Sequence, residues 1–271
     1  MIQQFENYLR SIRGYSENTI KAYTNDLHTF AAWARQNLPV CKWSEIKRED
    51  IDKYLTSQQH AGLKPATTNR HLAALSSLYR YFQREGLLVV NPCQYESRRK
   101  LPQTIPATIP VEQIRTAYQH AQGATKLMLG ILATTGIRIQ ELLDLRYGDI
   151  DTQNCTLHIC GKGSKERIVN LDASIISSLK AGHELLHPSM KIFYTNQREA
   201  RYRIYEALRP YSNSRKLSPH VIRHTYATEL AKNGESTATI AKILGHSHIE
   251  TSQKYIDLAQ VPISHKGISL T

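Results

Sequence analysis

The twenty residues from Asn91 to Pro110, NPCQYESRRKLPQTIPATIP, hold four prolines and no sustained apolar periodicity. Proline fixes φ, lacks an amide hydrogen and pushes the residue before it out of the helical region, so neither a long helix nor an interior strand can run through this stretch. The chain is thereby cut in two. At 271 residues it is long enough for each part to bury a core of its own. The expected organisation is a domain over 1–95, an extended linker over 96–108 and a second domain over 109–271.

Before the linker, the apolar residues recur with helical spacing four times. Ile2 to Ile12 is the first segment. Ser16 to Arg35 is the second, with Ile20, Tyr23, Leu27, Phe30 and Trp33 forming one stripe. A third runs from about Glu49 to His60 and stops at Gly62. The fourth is opened by Pro65, carries Leu72, Leu75, Leu78, Tyr79 and Phe82 on one side, and stops at Gly86. The first part is expected to be all-helical.

After Pro110 the pattern becomes mixed. Helices are predicted near Val111 to Gln119 and Thr125 to Thr134, and Gly136 precedes another that turns Ile139, Leu142 and Leu143 inward. TLHICGKGSKERIVNL alternates apolar and polar residues on both sides of a Gly-Lys-Gly turn, which predicts a hairpin. Beyond Leu171 the pattern is helical again. The fold class is therefore mainly α with a small β-sheet, an α+β second domain behind an all-helical first one.

Lysine and arginine number 35 against 23 acidic residues, a net charge of +12. Residues 1–108 hold 15 basic and 9 acidic side chains, and 109–271 hold 20 and 14, so each part carries +6. An even excess of this kind suits two surfaces facing one polyanion better than an appended basic anchor. The longest apolar run, around Leu127 to Ala133, is far short of the roughly 20 residues that span a bilayer, and MIQQFENYLRSIRG lacks the layout of a secretory signal. No membrane association is expected, and the cytosol is the expected compartment. The four cysteines, Cys41, Cys93, Cys155 and Cys160, are scattered and indicate neither a disulfide framework nor a zinc site.

Several side chains carry chemistry. In KLSPHVIRHTYATEL, Ser218 is a good N-cap and Pro219 suits the first helical position, so His220 falls in the first turn and shares a face with Arg223. Two cations beside a helix N-terminus repel unless an anion lies between them. Taken alone, the motif suits equally well an Arg223 paired with a distant acid and a simply exposed His220. Arg138 starts a helix close to Glu141, which would satisfy it as an ion pair. Lys162 sits between glycines at the hairpin tip, where a solvated turn lysine is the commoner reading. His246 follows Gly245 in a helix-closing setting, and Tyr255 lies nine residues further on.

Together these groups suit a phosphodiester handled by nitrogen side chains. Arginine forks match non-bridging oxygens, histidines manage a proton, lysine can protonate a departing oxygen, and a tyrosine phenolate attacking phosphorus makes a covalent intermediate that stores the bond energy.

Arg138 in TGIRIQELLDL, Lys162 in GKGSKERIV, the H-x-x-R of His220 and Arg223, His246 in LGH, and Tyr255 resemble the active-site series of the tyrosine recombinase (phage integrase) family in order and spacing. The intervals are 24 residues from Arg138 to Lys162, three from His220 to Arg223, 26 from His220 to His246 and nine onward to Tyr255. SENTIKAYTNDLHTFAAW and NRHLAALSSLYRYF are similar to the helical, SAM-like core-binding domain of Xer-type recombinases, so the likeness covers nearly the whole chain.

That resemblance implies Tyr255 as nucleophile giving a 3′-phosphotyrosine, Arg138 and Arg223 clamping the phosphate, and His246 donating a hydrogen bond to it. It implies Lys162 as the acid for the 5′ oxygen and His220 as the base toward Tyr255, with no metal, cofactor or ATP. His224 is read as structural and His248 as a surface residue. The implied partners are a double-stranded DNA recombination site gripped by both domains, further copies of the chain in a dimer or tetramer, and a second recombinase or accessory protein. The implied location is the nucleoid. A type IB topoisomerase shares the chemistry, but the Xer-like first domain argues against it. A non-enzymatic DNA-binding regulator is opposed by the presence of all six positions.

Overall fold

The computed structural model describes residues 1–39, 42–94, 106–161, 166–245 and 250–259. The chain divides into two compact units, Met1–Gln103 and Thr104–Thr271. Arg98, Arg99 and Lys100, with most of the linker expected over 96–108, lie outside the described residues.

The first unit contains α1 (Ile2–Ser11), α2 (Glu17–Asn37), α3 (Arg48–His60) and α4 (Pro65–Arg84). The cap chemistry legible in the sequence sets two of the starts. The Ser16 side chain accepts a hydrogen bond from Thr19 N at 3.4 Å, and Pro65 occupies the first turn of α4. The expected stripes meet in one core that includes Phe5, Leu27, Phe30, Ile51, Tyr54, Leu75, Leu78 and Phe82. Each such fully buried side chain contributes about 1.5–3 kcal/mol before the entropy of ordering is subtracted. Within this core Asp26, His71 and Tyr54 form a buried polar chain. Arg70 donates to Asp26 at 2.8 and 2.9 Å, His71 Nε2 lies 3.1 Å from Asp26, and the Tyr54 hydroxyl lies 2.7 Å from His71 Nδ1.

The second unit runs α5 (Val111–His120), α6 (Gly123–Thr135), α7 (Ile139–Asp144), β1 (Ile150–Asp151), β2 (Thr156–Cys160), β3 (Glu166–Asn170), α8 (Ala173–Leu185), α9 (Gln197–Leu208), α10 (Pro219–Lys232), α11 (Thr237–Leu244) and α12 (Glu250–Ala259). The expected hairpin is β2 against β3, antiparallel, with His158 opposite Ile168. Leu157 and Ile159 point into the core while His158 and Cys160 face out, as a two-residue period requires. A third strand, β1, pairs Ile150 with Leu157 on the other side. Two residues are too few to show any alternation in sequence, which is why only the hairpin was legible.

The apolar helix α6 lies in the main core of this unit together with Leu142, Leu157, Ile175 and Ile222. The residues that lead in from the linker are tied down: Ile109 is buried, its amide donates to Thr225 Oγ1 at 3.1 Å, and that hydroxyl donates back to the Ile109 carbonyl at 3.2 Å. A second, smaller core joins α10, α11 and α12 through Ala227, Ala231, Ile240, Leu244 and Tyr255. No helix among the described residues is long and apolar enough to cross a membrane. Among the described residues Cys93, Cys155 and Cys160 form no disulfide, and Cys41 lies outside them.

Candidate active site

The site is assembled where two helix ends approach α10. Gly136 closes α6 with φ of +61°, and a Cβ there would lie 2.4 Å from the ring of Tyr226, so both conformation and space demand glycine. The chain then turns into α7, whose N-cap is Arg138. The Arg138 amide donates to Glu141 Oε2 at 2.8 Å and its guanidinium to Glu141 Oε1 at 2.9 Å, so the intrahelical pair anticipated from the spacing is present. A further N–H of Arg138 donates to the carbonyl of Gly245 at 3.0 Å. Gly245 itself closes α11 in the left-handed region.

On α10, Ser218 accepts from Val221 N at 3.4 Å and Pro219 holds the first turn, which places Arg223 one turn inside the helix. Arg223 is only 4% exposed. Among the described residues it forms no ion pair: its two terminal nitrogens donate to the carbonyls of Gly136 at 2.6 Å and Leu244 at 2.7 Å. Burial, followed by the charge of Arg138, pulls its pKa down to about 10.

The strand β3 supplies a third guanidinium. Arg167 is nearly buried, donates to both oxygens of Glu141 at 3.1 and 2.7 Å, and reaches the Ile243 carbonyl at 2.8 Å. Three consecutive carbonyls at the end of α11, those of Ile243, Leu244 and Gly245, are thus each taken by a different arginine. Burial alone would raise the Glu141 carboxyl, but the hydrogen bonds from Arg167 and the Arg138 amide outweigh it and leave its pKa lowered. Arg167 was not singled out in the sequence. Its signal was parity: it shares the inward register of β3 with Val169, a position where a charge requires a buried partner.

His220 sits exposed in the first turn of α10. Partial burial, then the charges of Arg201, Arg223 and Arg138, lower its pKa, so the ring is neutral at neutral pH. Tyr255 on α12 is 2% exposed, and its hydroxyl lies 2.8 Å from Nδ1 of His224. Burial raises the phenol pKa, while the charges of Arg223 and Arg138 act on it in the opposite sense. The structure therefore gathers Arg138, Arg223, His220 and Tyr255 around one turn of α10. Lys162, His246 and His248 lie outside the described residues.

Arg138 and Arg167 share the Glu141 carboxylate while Arg223 is held by backbone carbonyls, so positive charge exceeds negative beside a phenol and a neutral imidazole, an arrangement chemically suited to an anion. Residues 108–261 match the phage integrase family, and residues 2–86 match the phage integrase N-terminal SAM-like domain. The chain belongs to the phage integrase family and is a tyrosine recombinase, an enzyme of site-specific DNA recombination. It is 31% identical over 274 residues to tyrosine recombinase XerC of Listeria welshimeri serovar 6b, covering 93% of this chain and 91% of the relative. Its fold is similar to that of the XerH site-specific recombinase in a post-cleavage complex with palindromic difH substrate, with a TM-score of 0.77, 21% identity, and coverage of 96% of this chain and 82% of the other. It is likewise similar to lambda integrase in a tetramer bound to a Holliday junction, with a TM-score of 0.72, 18% identity, and coverage of 99% and 79%.

Proposed function

We propose that Tyr255 is the nucleophile of DNA strand cleavage and that Arg138, Lys162, His220, Arg223 and His246 complete the site. The phenolic oxygen attacks the scissile phosphorus as its proton passes to His220. The bond to the 5′ oxygen breaks, that oxygen takes a proton from Lys162, and a 3′-phosphotyrosine remains. The 5′-hydroxyl of the partner strand then reverses the sequence. One phosphodiester bond is exchanged for another at each step, so no ATP is consumed. Arg138 and Arg223 hold the non-bridging oxygens, assisted by a hydrogen bond from His246. The developing charge of the pentavalent state meets donors already fixed in place, which is the largest contribution such a site can make.

The single observation that carries this reading is the set of three guanidiniums beside Tyr255, with Arg138 and Arg167 bonded to the one Glu141 carboxylate and Arg223 to backbone carbonyls among the described residues. An excess of about two positive charges suits a phosphorane bearing about two negative ones. The substrate is a double-stranded recombination site contacted by both domains, 1–95 and 109–271, with the 96–108 segment between them. The +6 on each part supports this, and binding is expected to weaken steeply with salt. Copies of the chain assemble as dimers and tetramers on DNA, as lambda integrase does in its junction complex. A second recombinase or an accessory protein completes the assembly, which works at the nucleoid in the cytoplasm.

A nicked suicide substrate carrying the footprinted site tests the assignment. Wild-type protein accumulates a covalent protein–DNA adduct, and Tyr255→Phe forms none while binding the site nearly as well. An unchanged adduct yield in that variant would mean another residue attacks.

A further inference from the structure

We infer that His224 is a positioning residue that keeps the proposed nucleophile docked and closed to solvent until α12 is displaced. This inference rests on the assignment of Tyr255 as nucleophile. His224 follows Arg223 directly, so the two side chains leave α10 about 100° apart. Arg223 turns toward Gly136 and Leu244, and His224 turns toward α12. There its Nδ1 lies 2.8 Å from the Tyr255 hydroxyl, with ring centroids 5.8 Å apart.

Two features make this contact a latch rather than part of the chemistry. Burial, then the charges of His220, Arg223 and Lys254, push the His224 pKa down to about 4. The ring is therefore neutral, and in the tautomer with its proton on Nε2 its Nδ1 accepts a hydrogen bond from the phenol. The same shift makes His224 a poor base, because burial holds the phenol pKa above its ordinary value and the proton stays on oxygen. Secondly, Tyr255 is itself a member of the small core with Ala227, Ala231, Ile240 and Leu244. A phenol packed among these side chains and bonded to an imidazole has no open path to an external phosphate. Cleavage thus requires the hydrogen bond to His224 to break and the ring to leave its niche, which ties the reactivity of Tyr255 to whatever moves α12.

Labelling of the free, full-length protein with a phenol-selective triazolinedione, read by peptide mass spectrometry, tests this without DNA. Tyr194 and Tyr202, 76% and 59% exposed, serve as internal standards. Tyr255 in the wild type is expected to label far more slowly than either. His224→Ala should raise the Tyr255 rate about fivefold, the equivalent of one neutral hydrogen bond, with Tyr226 of the same small core unchanged. His224→Asn, whose side-chain oxygen can accept near the place of Nδ1, should keep Tyr255 slow. On the suicide substrate, His224→Ala should form adduct faster than wild type. The latch is refuted by an unchanged Tyr255 rate in His224→Ala, by Tyr226 accelerating in parallel, by Asn behaving as Ala does, or by slower adduct formation in His224→Ala. Should wild-type protein form no adduct on any site, the nucleophile assignment fails separately, and the labelling pattern still reports whether His224 guards Tyr255.

Discussion

Each unit buries an ion network around one carboxylate, and the two are balanced differently. In the first unit Asp26, 4% exposed, takes two hydrogen bonds from Arg70 and one from His71, whose other nitrogen faces the Tyr54 hydroxyl. One permanent cation meets one anion and every donor in the chain has an acceptor, so the network needs nothing from outside. In the second unit Glu141 serves both Arg138 and Arg167, and among the described residues Arg223 donates to backbone carbonyls alone. Burying a cation is expensive unless it is fully compensated. Arg223 is less fully compensated than Arg70, with its pKa drawn down to about 10, as the anion site proposed above would require. The teaching is that burial alone does not mark a functional charge. The charge balance does.

The largest effect that could break this comparison comes from Arg223→Gln. Losing one fixed donor to a developing oxyanion should slow covalent adduct formation by about 10²–10³-fold. Thermal or urea unfolding should show the variant at least as stable as wild type, since a buried cation has been removed. A marked loss of stability would make Arg223 as structural as Asp26.

Asp26→Ala should do the reverse. It strips Arg70 and His71 of their acceptor and should cost about 3 kcal/mol in urea unfolding, the low end for breaking a buried pair because Arg70 is 47% exposed. Adduct formation per folded molecule should be unaffected. The sign in pH follows from the folded carboxyl lying below its unfolded value of 3.8, where the bonds from His71 and Arg70 outweigh the burial that would raise it. This stabilisation is complete above about pH 4 and is lost as pH falls through the folded value. The alanine variant should therefore lose less stability than wild type on acidification.

The smallest effect sharpens the contrast within the second unit. His220 must be neutral to take a proton, and its lowered pKa places that change below 6.5. Single-turnover cleavage should fall about tenfold per pH unit below that midpoint and level off above it. His220→Asn should abolish that acid limb. An unaltered limb in the variant would move the base elsewhere.

Much of the fold could be read directly along the chain. The four amphipathic stripes of the first unit, the cap at Ser218 and the closing glycine Gly245 all lie where side-chain chemistry requires them. Short-range features of this kind are set by steric and hydrogen-bonding preferences within a few residues, so sequence expresses them. The site was legible as a set of residue types, and the Arg138–Glu141 pair as a spacing. Arg167 carries only a faint signal, one inward-facing charge in a five-residue strand. For His224 nothing local says which way the side chain turns.

The sequence by itself determined where helices start and stop, the division at the prolines, the basic balance of both parts and the types of group available for phosphate chemistry. Only the tertiary structure decided that the carbonyls of Ile243, Leu244 and Gly245 would each face a guanidinium, from Arg167, Arg223 and Arg138 respectively. It also decided that Tyr255 would rest on His224, 31 residues away in the chain. These partners are separated by 21 to 107 residues, far beyond the reach of local propensity, and they meet because α10 packs against α6, α11 and α12, where buried donors must find acceptors.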